Sequence, residues 1–418
     1  MQFNDYMKYL DLACQMAGLP RYQWAKRSLG KDSYKLGRKV LLILGSIGSF
    51  YQIIGVFLYW YFYERMEKDT ATFVAGIGDM CGSLMLTIVG FSNIYALVKN
   101  HTKIEALLEE LHAIFPDPEE RHYRCQHYYK TAIFIMQIEF RFYMIFFTYY
   151  NSAPLLMLLW EHQKEGQELS FRTQTNTWFP WRVHGSALGF GLGYLTIVFA
   201  SCVGVGFSIA TQNLVCLFAF QLKMHYDALA SQLLNLDSRH PESSKKLRIL
   251  IAYHIRILQI ADQFNALLNF NFLSSLFGST IAICMTSVAV LLLDLASAFK
   301  AISGLVAFVL YQFIICYLGT EVTLAIEGTL KKLQDLYPRS ARQKHYCCQH
   351  YFRLPLLLMK LQYMFFVMFC VYHNGFSIFR LLWKYLSETQ SVSFRAQTKS
   401  WYPWKVQGSA VGYGAAFL

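Results

Sequence analysis

Val40–Phe62 reads VLLILGSIGSFYQIIGVFLYWYF, 23 residues without a charge. At about 1.5 Å per residue, a helix of that length crosses the roughly 30 Å hydrocarbon layer of a bilayer. Its far end carries Tyr59, Trp60 and Tyr61, rings that favour a membrane–water interface. Lipid offers the backbone no hydrogen bonds, so the segment must satisfy its own as a helix. Further apolar runs predict spans near 72–98, 131–159, 186–207, 267–293, 302–323 and 354–379. The composition agrees: 55% hydrophobic and 15% charged, where a soluble domain carries about 25% charged residues. The expected fold class is all-α, a polytopic membrane protein of about seven transmembrane helices.

The net charge of +12 lies mainly between the spans. Residues 1–39 hold eight Lys and Arg, 99–130 five, 223–263 six and 324–353 six; the alternate segments 63–71, 160–185 and 294–301 hold two, three and one. Basic loops stay in the cytoplasm, so the N-terminus is expected there. That arrangement is inverted relative to G-protein-coupled receptors. Residues 1–39 are polar and mixed, and the first apolar run is too long for a signal-peptide core. The first span is therefore expected to be an uncleaved targeting signal. No arginine-rich helix or zinc finger is present, and no nucleic-acid partner is expected.

Between the spans, His101–Phe115 predicts an amphipathic helix with Ile104, Leu107, Leu108 and Leu111 on one side, stopped by Pro116 and Pro118. A long polar loop, 161–182, ends in Trp178, Phe179, Pro180 and Trp181. Residues 223–262 read as helices projecting from the membrane, broken near His240 and Pro241, with Leu247, Leu250, Ile251, His254, Leu258 and Ala261 as one stripe. The glycines of the fourth span, Gly189, Gly191, Gly193, Gly204 and Gly206, suit close helix packing.

The chain repeats itself. HYRCQHYY at 122–129 recurs as HYCCQHYF at 345–352, and SFRTQTNTWFPWRVHGSALGFG at 170–191 as SFRAQTKSWYPWKVQGSAVGYG at 393–414. Over 122–191 against 345–414, 30 of 70 positions are identical. The first two spans do not recur, which disfavours a transporter-like pair of halves. The organisation expected is a six-span body, 1–325, followed by a partial repeat of residues 104–191 in 326–418 with one further span, read as two related coding units fused.

No catalytic motif, nucleotide-binding loop or metal-ligand spacing is present; no enzyme activity, cofactor or metal is expected. The ten cysteines are scattered without a paired framework and read as small buried hydrophobes. Charges inside spans invite a function. Glu139 and Arg141 in the third span are expected to snorkel or pair, while Asp79 and Glu321 lie near span ends. Tyr143, Phe146, Tyr149, Tyr150 and Phe190 are the candidate ligand-binding residues. Such aromatics line apolar pockets, and their hydroxyls orient a ligand.

The length, the inverted layout, the long loop after the third span, the charged helices after the fourth and YQFIICYLGTEV at 311–322 together resemble the insect odorant receptor family. The resemblance implies a receptor for a small volatile odorant, bound in an outer-leaflet pocket among helices two to six. Around Tyr143, Tyr149, Tyr150 and Phe190 it marks a zone. It also implies a heteromeric complex with a shared odorant co-receptor subunit that gates a non-selective cation channel, in the dendrites of olfactory sensory neurons. The seventh helix of such receptors lines the pore, and here a copy of the third-span region stands in its place. A gustatory receptor channel and a secondary transporter remain alternatives. An epitope tag at the N-terminus is expected to stain only after permeabilisation; staining of intact cells would overturn the orientation.

Overall fold

A computed structural model describes residues 2–24, 27, 36–64, 70–117, 123–163, 171, 173–183, 185–236, 242–292 and 295–336. The span expected at 354–379 and most of the repeated segment lie outside the described residues. A 3₁₀ turn, Phe3–Met7, leads into α1 (Lys8–Met16). Then come α2 (Leu36–Tyr59), which widens into a π-turn at Trp60–Glu64, α3 (Thr70–Lys99), α4 (His101–Ala113), α5 (Cys125–Gln163), α6 (Ala187–Leu234), α7 (Ser243–Leu292) and α8 (Leu295–Leu336). The six helices α2, α3, α5, α6, α7 and α8 are long and apolar enough to cross a bilayer. No strand is found among the described residues; the protein is a multi-pass helical membrane protein.

The contacts bear out alternating directions. Gly278 of α7 meets Val89 of α3 while Asn271 bonds Asn93, so these two helices run antiparallel. In α5 and α6 the pairs Ala132–Cys216 and Asn151–Ser201 give the same antiparallel sense. Helices α6 and α8 run parallel, with Lys223 paired to Glu321 and Thr329 Oγ1 donating to the Tyr226 carbonyl at 3.2 Å. Glu321, expected only near a span end, thus neutralises a lysine of another helix.

The 48 residues of α6 and 50 of α7 each extend over 70 Å, at about 1.5 Å per residue. More than half of each helix therefore projects beyond the hydrocarbon. The projecting helices expected over 223–262 are the continuations of the α6 and α7 spans, which end at Leu234 and begin at Ser243 on either side of the expected break. The buried face of α7 there is Leu250, Ile257, Ile260, Phe264 and Leu268, whereas Ile251, placed on the stripe by sequence, is 44% exposed. Other residues of the stripe do reach α6: the His254 ring meets Tyr226 edge-on, and Leu250 packs with Leu229 and Leu233. On α4 the four predicted residues Ile104, Leu107, Leu108 and Leu111 are all buried.

The N-terminal segment docks into a groove of α4, α5 and α6. Tyr6 meets Phe115 and Tyr129 edge-on, and Tyr9 packs near Phe140. Trp24 Nε1 donates to His112 Nδ1 at 2.8 Å, and the Tyr22 ring stacks on His101. Arg27 reaches Asp11 at 2.5 Å. Burial raises the Asp11 pKa, although the Arg27 guanidinium opposes the rise.

Two glycines decide the closest approaches. At Gly45, α2 lies directly on Val203 of α6. At Gly206, a Cβ would stand 2.6 Å from the Ala17 nitrogen, whereas at Gly204 it would meet nothing within 4 Å. Gly189 and Gly193 closely approach Arg182 and Phe179, and Gly191 is open, so three of the five glycines are closely packed, but against segments outside the spans rather than against other membrane helices. Gly206→Ala is expected to destabilise the protein by about 1–3 kcal/mol through overpacking, read as a lower Tm in detergent. Gly204→Ala is expected not to lower it; equal Tm values for the two variants would refute the contact.

Candidate ligand-binding site

The outer end of the bundle is closed by the segment 173–183, which dips back between α2, α5 and α6. Its backbone is held where it enters: Trp178 N–H donates to the Gly55 carbonyl at 2.9 Å, and the Tyr51 hydroxyl donates to the Trp178 carbonyl at 2.7 Å. The close approach uses the missing side chain of Gly55, against which Thr177 and Trp178 pack. Phe179 stacks on Tyr51 and Trp181 Nε1 donates to the Gly189 carbonyl at 3.0 Å. The aromatic cluster read from sequence is thus a folded plug.

Asn151 joins this plug to two helices. Its Oδ1 accepts from Gln174 Nε2 at 3.1 Å and from Ser201 Oγ at 3.3 Å, and its carbonyl accepts from the Tyr194 hydroxyl at 2.8 Å. Nearby Pro154 in α5 cannot donate a backbone hydrogen bond, so side-chain bonds contribute more to order in this turn.

Phe179 and Val183 of the plug form an apolar cluster with Phe190 and Ile197 of α6, with Tyr51, Tyr150, Leu158, Phe171 and Tyr194 packed against it. Phe190 lies 5.5 Å from Phe171 and 5.8 Å from Tyr194, between ring centroids. Phe146 stacks on Tyr150 at 6.0 Å. The structure therefore gathers Phe146, Tyr150 and Phe190 in one outer aromatic zone. Tyr149 is half-buried on its flank.

Tyr143 stands apart from Phe190. It is buried in the central core, and its hydroxyl accepts from Gln212 Nε2 at 3.2 Å. Along α6, 22 residues separate Phe190 from Gln212, about 33 Å of helix. One small molecule cannot touch both Phe190 and Tyr143. Around Tyr143 the polar contacts connect helices: the Tyr311 hydroxyl bonds Ser275 at 3.0 Å, and Asn271 Nδ2 bonds Asn93 Oδ1 at 2.6 Å and Ser92 Oγ at 3.2 Å.

Glu139 corrects its expectation. It neither snorkels nor pairs: it is 0% exposed, and both carboxyl oxygens lack a hydrogen-bond partner among the described residues. Arg141, two residues on, is exposed. The side chain of Asp79 lies outside those described. Sequence reasoning also missed Tyr51, Asn151, Gln174, Tyr194, Gln212 and Tyr311. Only the 139, 143, 146, 150 spacing, one face of a helix, carried a signal that Glu139 belongs with the aromatics.

A helical bundle with six membrane-length helices, two of them extended well beyond the span, a folded plug at one end and an internal aromatic zone defines a multi-pass helical membrane protein. Residues 74–333 match the family model described as 7tm Odorant receptor. The chain is 60% identical over 325 residues to odorant receptor 69a, isoform A, of Drosophila melanogaster, covering 78% of this chain and 83% of that one. It is 35% identical over 324 residues to isoform B of the same receptor, covering 78% and 82%. The solved structure of the insect olfactory receptor OR5 from Machilis hrabei superposes with a TM-score of 0.64 at 15% identity, covering 87% of this chain and 97% of that one. Its complex with eugenol superposes with a TM-score of 0.61. The chain belongs to the 7tm odorant receptor family.

Asn151→Ala removes the acceptor shared by Gln174 and Ser201. It is expected to loosen 173–183 by about 1–3 kcal/mol, seen as faster hydrogen exchange in that segment with α3 and α7 unchanged. Unchanged exchange in 173–183 would show that the plug is held without it.

Proposed function

We propose that this chain is the odorant-binding subunit of a heteromeric receptor, in which a small volatile molecule bound in the outer aromatic zone opens a non-selective cation channel formed with a shared co-receptor. The observation that carries the reading is the zone itself: Phe146, Tyr150 and the cluster around Phe190, enclosed by α2, α5 and α6 under the 173–183 plug. Its walls are apolar rings with a few hydroxyls, a lining that suits a small, mostly hydrophobic ligand. Tyr149 borders the same zone, and Tyr143 lies deeper on the same helix.

The family resemblance supports the co-receptor and the dendritic location in olfactory sensory neurons. The six described spans carry the binding role. Residues 326–418 repeat the 104–191 region where a pore-lining helix is expected, and we read them as the product of a fused related coding unit.

Co-expression of the full chain with the co-receptor in a cell line, with current recording over a panel of volatile compounds, tests the proposal. Odorant-evoked cation current is expected. Tyr150→Ala is expected to raise the half-maximal concentration about tenfold, the loss of one well-packed ring at about 1.4 kcal/mol, with surface expression unchanged. Saturable, ion-coupled solute uptake without current would favour the transporter alternative and sink the receptor reading.

A further inference from the structure

The outer zone accounts for the apolar body of a ligand but leaves an acid unexplained. Glu139, Tyr143, Phe146 and Tyr150 are spaced by four, three and four residues, so they share one face of α5. Glu139 is the innermost of the four. Opposite it on α6, the contacts Tyr143–Gln212 and Ala132–Cys216 bracket the carboxyl group. No ion pair to Glu139 is found among the described residues.

Both Glu139 oxygens lack a partner among the described residues, and so does Gln212 Oε1. Gln212 is 1% exposed. The unsatisfied atoms of these two side chains are all oxygens, so they call for a hydrogen-bond donor. Buried polar atoms are rarely left unpaired, because each costs about 1–3 kcal/mol. An unpaired acid inside a membrane is more costly still, and such residues usually mark a functional site.

The repeated segment narrows the chemistry. Position 362, equivalent to Glu139 at the constant offset of the repeat, is Gln362. The glutamine keeps a carbonyl acceptor of the same length and drops the ionisable group. At this one position the two copies therefore share an acceptor rather than a negative charge, whereas Tyr143 is matched by Phe366, which has no hydroxyl.

We propose that Glu139, together with Gln212 and Tyr143, forms a polar floor below the aromatic zone that accepts a hydrogen bond from the hydroxyl of an aliphatic alcohol. The alcohol O–H donates to a Glu139 oxygen, and its own oxygen lies within the reach of the Tyr143 hydroxyl. The aliphatic chain runs outward past Phe146. Seven residues separate Glu139 from Phe146, about 10 Å of helix, which is the scale of a short chain. This assignment rests on the odorant-binding reading and adds a ligand class to it. It uses the inner half of the α5 face, so Phe190 is outside its contacts.

The test uses the full chain in lipid nanodiscs and reads thermal stabilisation by three probes: 1-hexanol, hexyl methyl ether and hexylamine. A ligand that binds the folded state raises the Tm in proportion to its affinity. For wild type, 1-hexanol is expected to bind about tenfold more tightly than the ether, one hydrogen bond's worth. Glu139→Gln is expected to retain that preference. Glu139→Met, apolar and of similar length, is expected to abolish it while leaving ether binding intact; Glu139→Leu is the second apolar variant should Met fail to fold. Equal binding of alcohol and ether by wild type, or an alcohol preference that survives in the apolar variants, overturns the hydroxyl site and leaves the odorant reading standing. Preferential binding of hexylamine that vanishes in Glu139→Gln overturns it in favour of an ammonium site. Stabilisation by none of the three probes overturns the hydroxyl site, and a silent odorant panel in the current recordings separately overturns the reading beneath it.

Discussion

Every residue of α6 from 209 to 222 is buried, so this stretch of helix has no face left for lipid or water. A helix in that position needs neighbours on all sides, and the rest of the fold supplies them. The N-terminal segment covers it at Gly206, where Ala17 comes closest. The α3 helix approaches through Asn93, whose Nδ2 donates to Ser208 Oγ at 3.2 Å, and α5 through Tyr143 and Ala132. On the cytoplasmic part, Phe264 of α7 stacks on Phe218 at 4.1 Å, and α8 adds Thr329 and Glu321. The re-entry of residues 3–24 into the bundle follows from this requirement. Without it, one side of the central helix would lack a protein neighbour where its polar residues emerge.

Those polar residues explain how the bundle is specified as well as how it is held. Lipid tails are as apolar as leucine, so burial alone does little to choose among helix pairings; close packing and interhelical hydrogen bonds do more. The pairs Asn93–Asn271, Ser275–Tyr311 and Tyr143–Gln212 each connect two different helices, and Asn151 connects two helices and the outer plug. At the α3–α7 crossing, Gly278 lies directly on Val89 and lets the two helices approach closely. Glu139 is among the buried polar side chains without a hydrogen-bond partner among the described residues, and it shares one face of α5 with Tyr143, Phe146 and Tyr150.

Much of the architecture was legible because membrane segments obey local rules. The ends of α2 and α3 fell within a few residues of the expected spans, the four buried positions of α4 were read correctly, and the directions implied by basic residues agree with the observed helix contacts. The site was less legible. Phe146 and Tyr150 were nominated as members of an aromatic-rich chain, yet their stacking and their relation to Phe190 depend on how α5 and α6 cross. Tyr51, Gln174 and Tyr194 gave no local signal, since each matters only through a partner far along the chain: 127 residues separate Tyr51 from Trp178. The error at Ile251 has the same origin, because a stripe drawn on an isolated helix cannot include the angle of the neighbour that covers it.

By itself the sequence determined that the chain lives in a membrane, that its spans are helices, which side carries the basic loops, and that residues 122–191 have a near copy at 345–414. These properties depend on residue type and short-range spacing: the cost of burying charge in hydrocarbon and the backbone's need for internal hydrogen bonds act segment by segment. Only the tertiary structure decided that 173–183 folds back as a plug, that Ala17 lies against Gly206, that Lys223 finds Glu321, and that both Glu139 oxygens are buried without a partner among the described residues. Those outcomes depend on helix rotation, tilt and register, set jointly by all the packed neighbours, and no single stretch of sequence contains them.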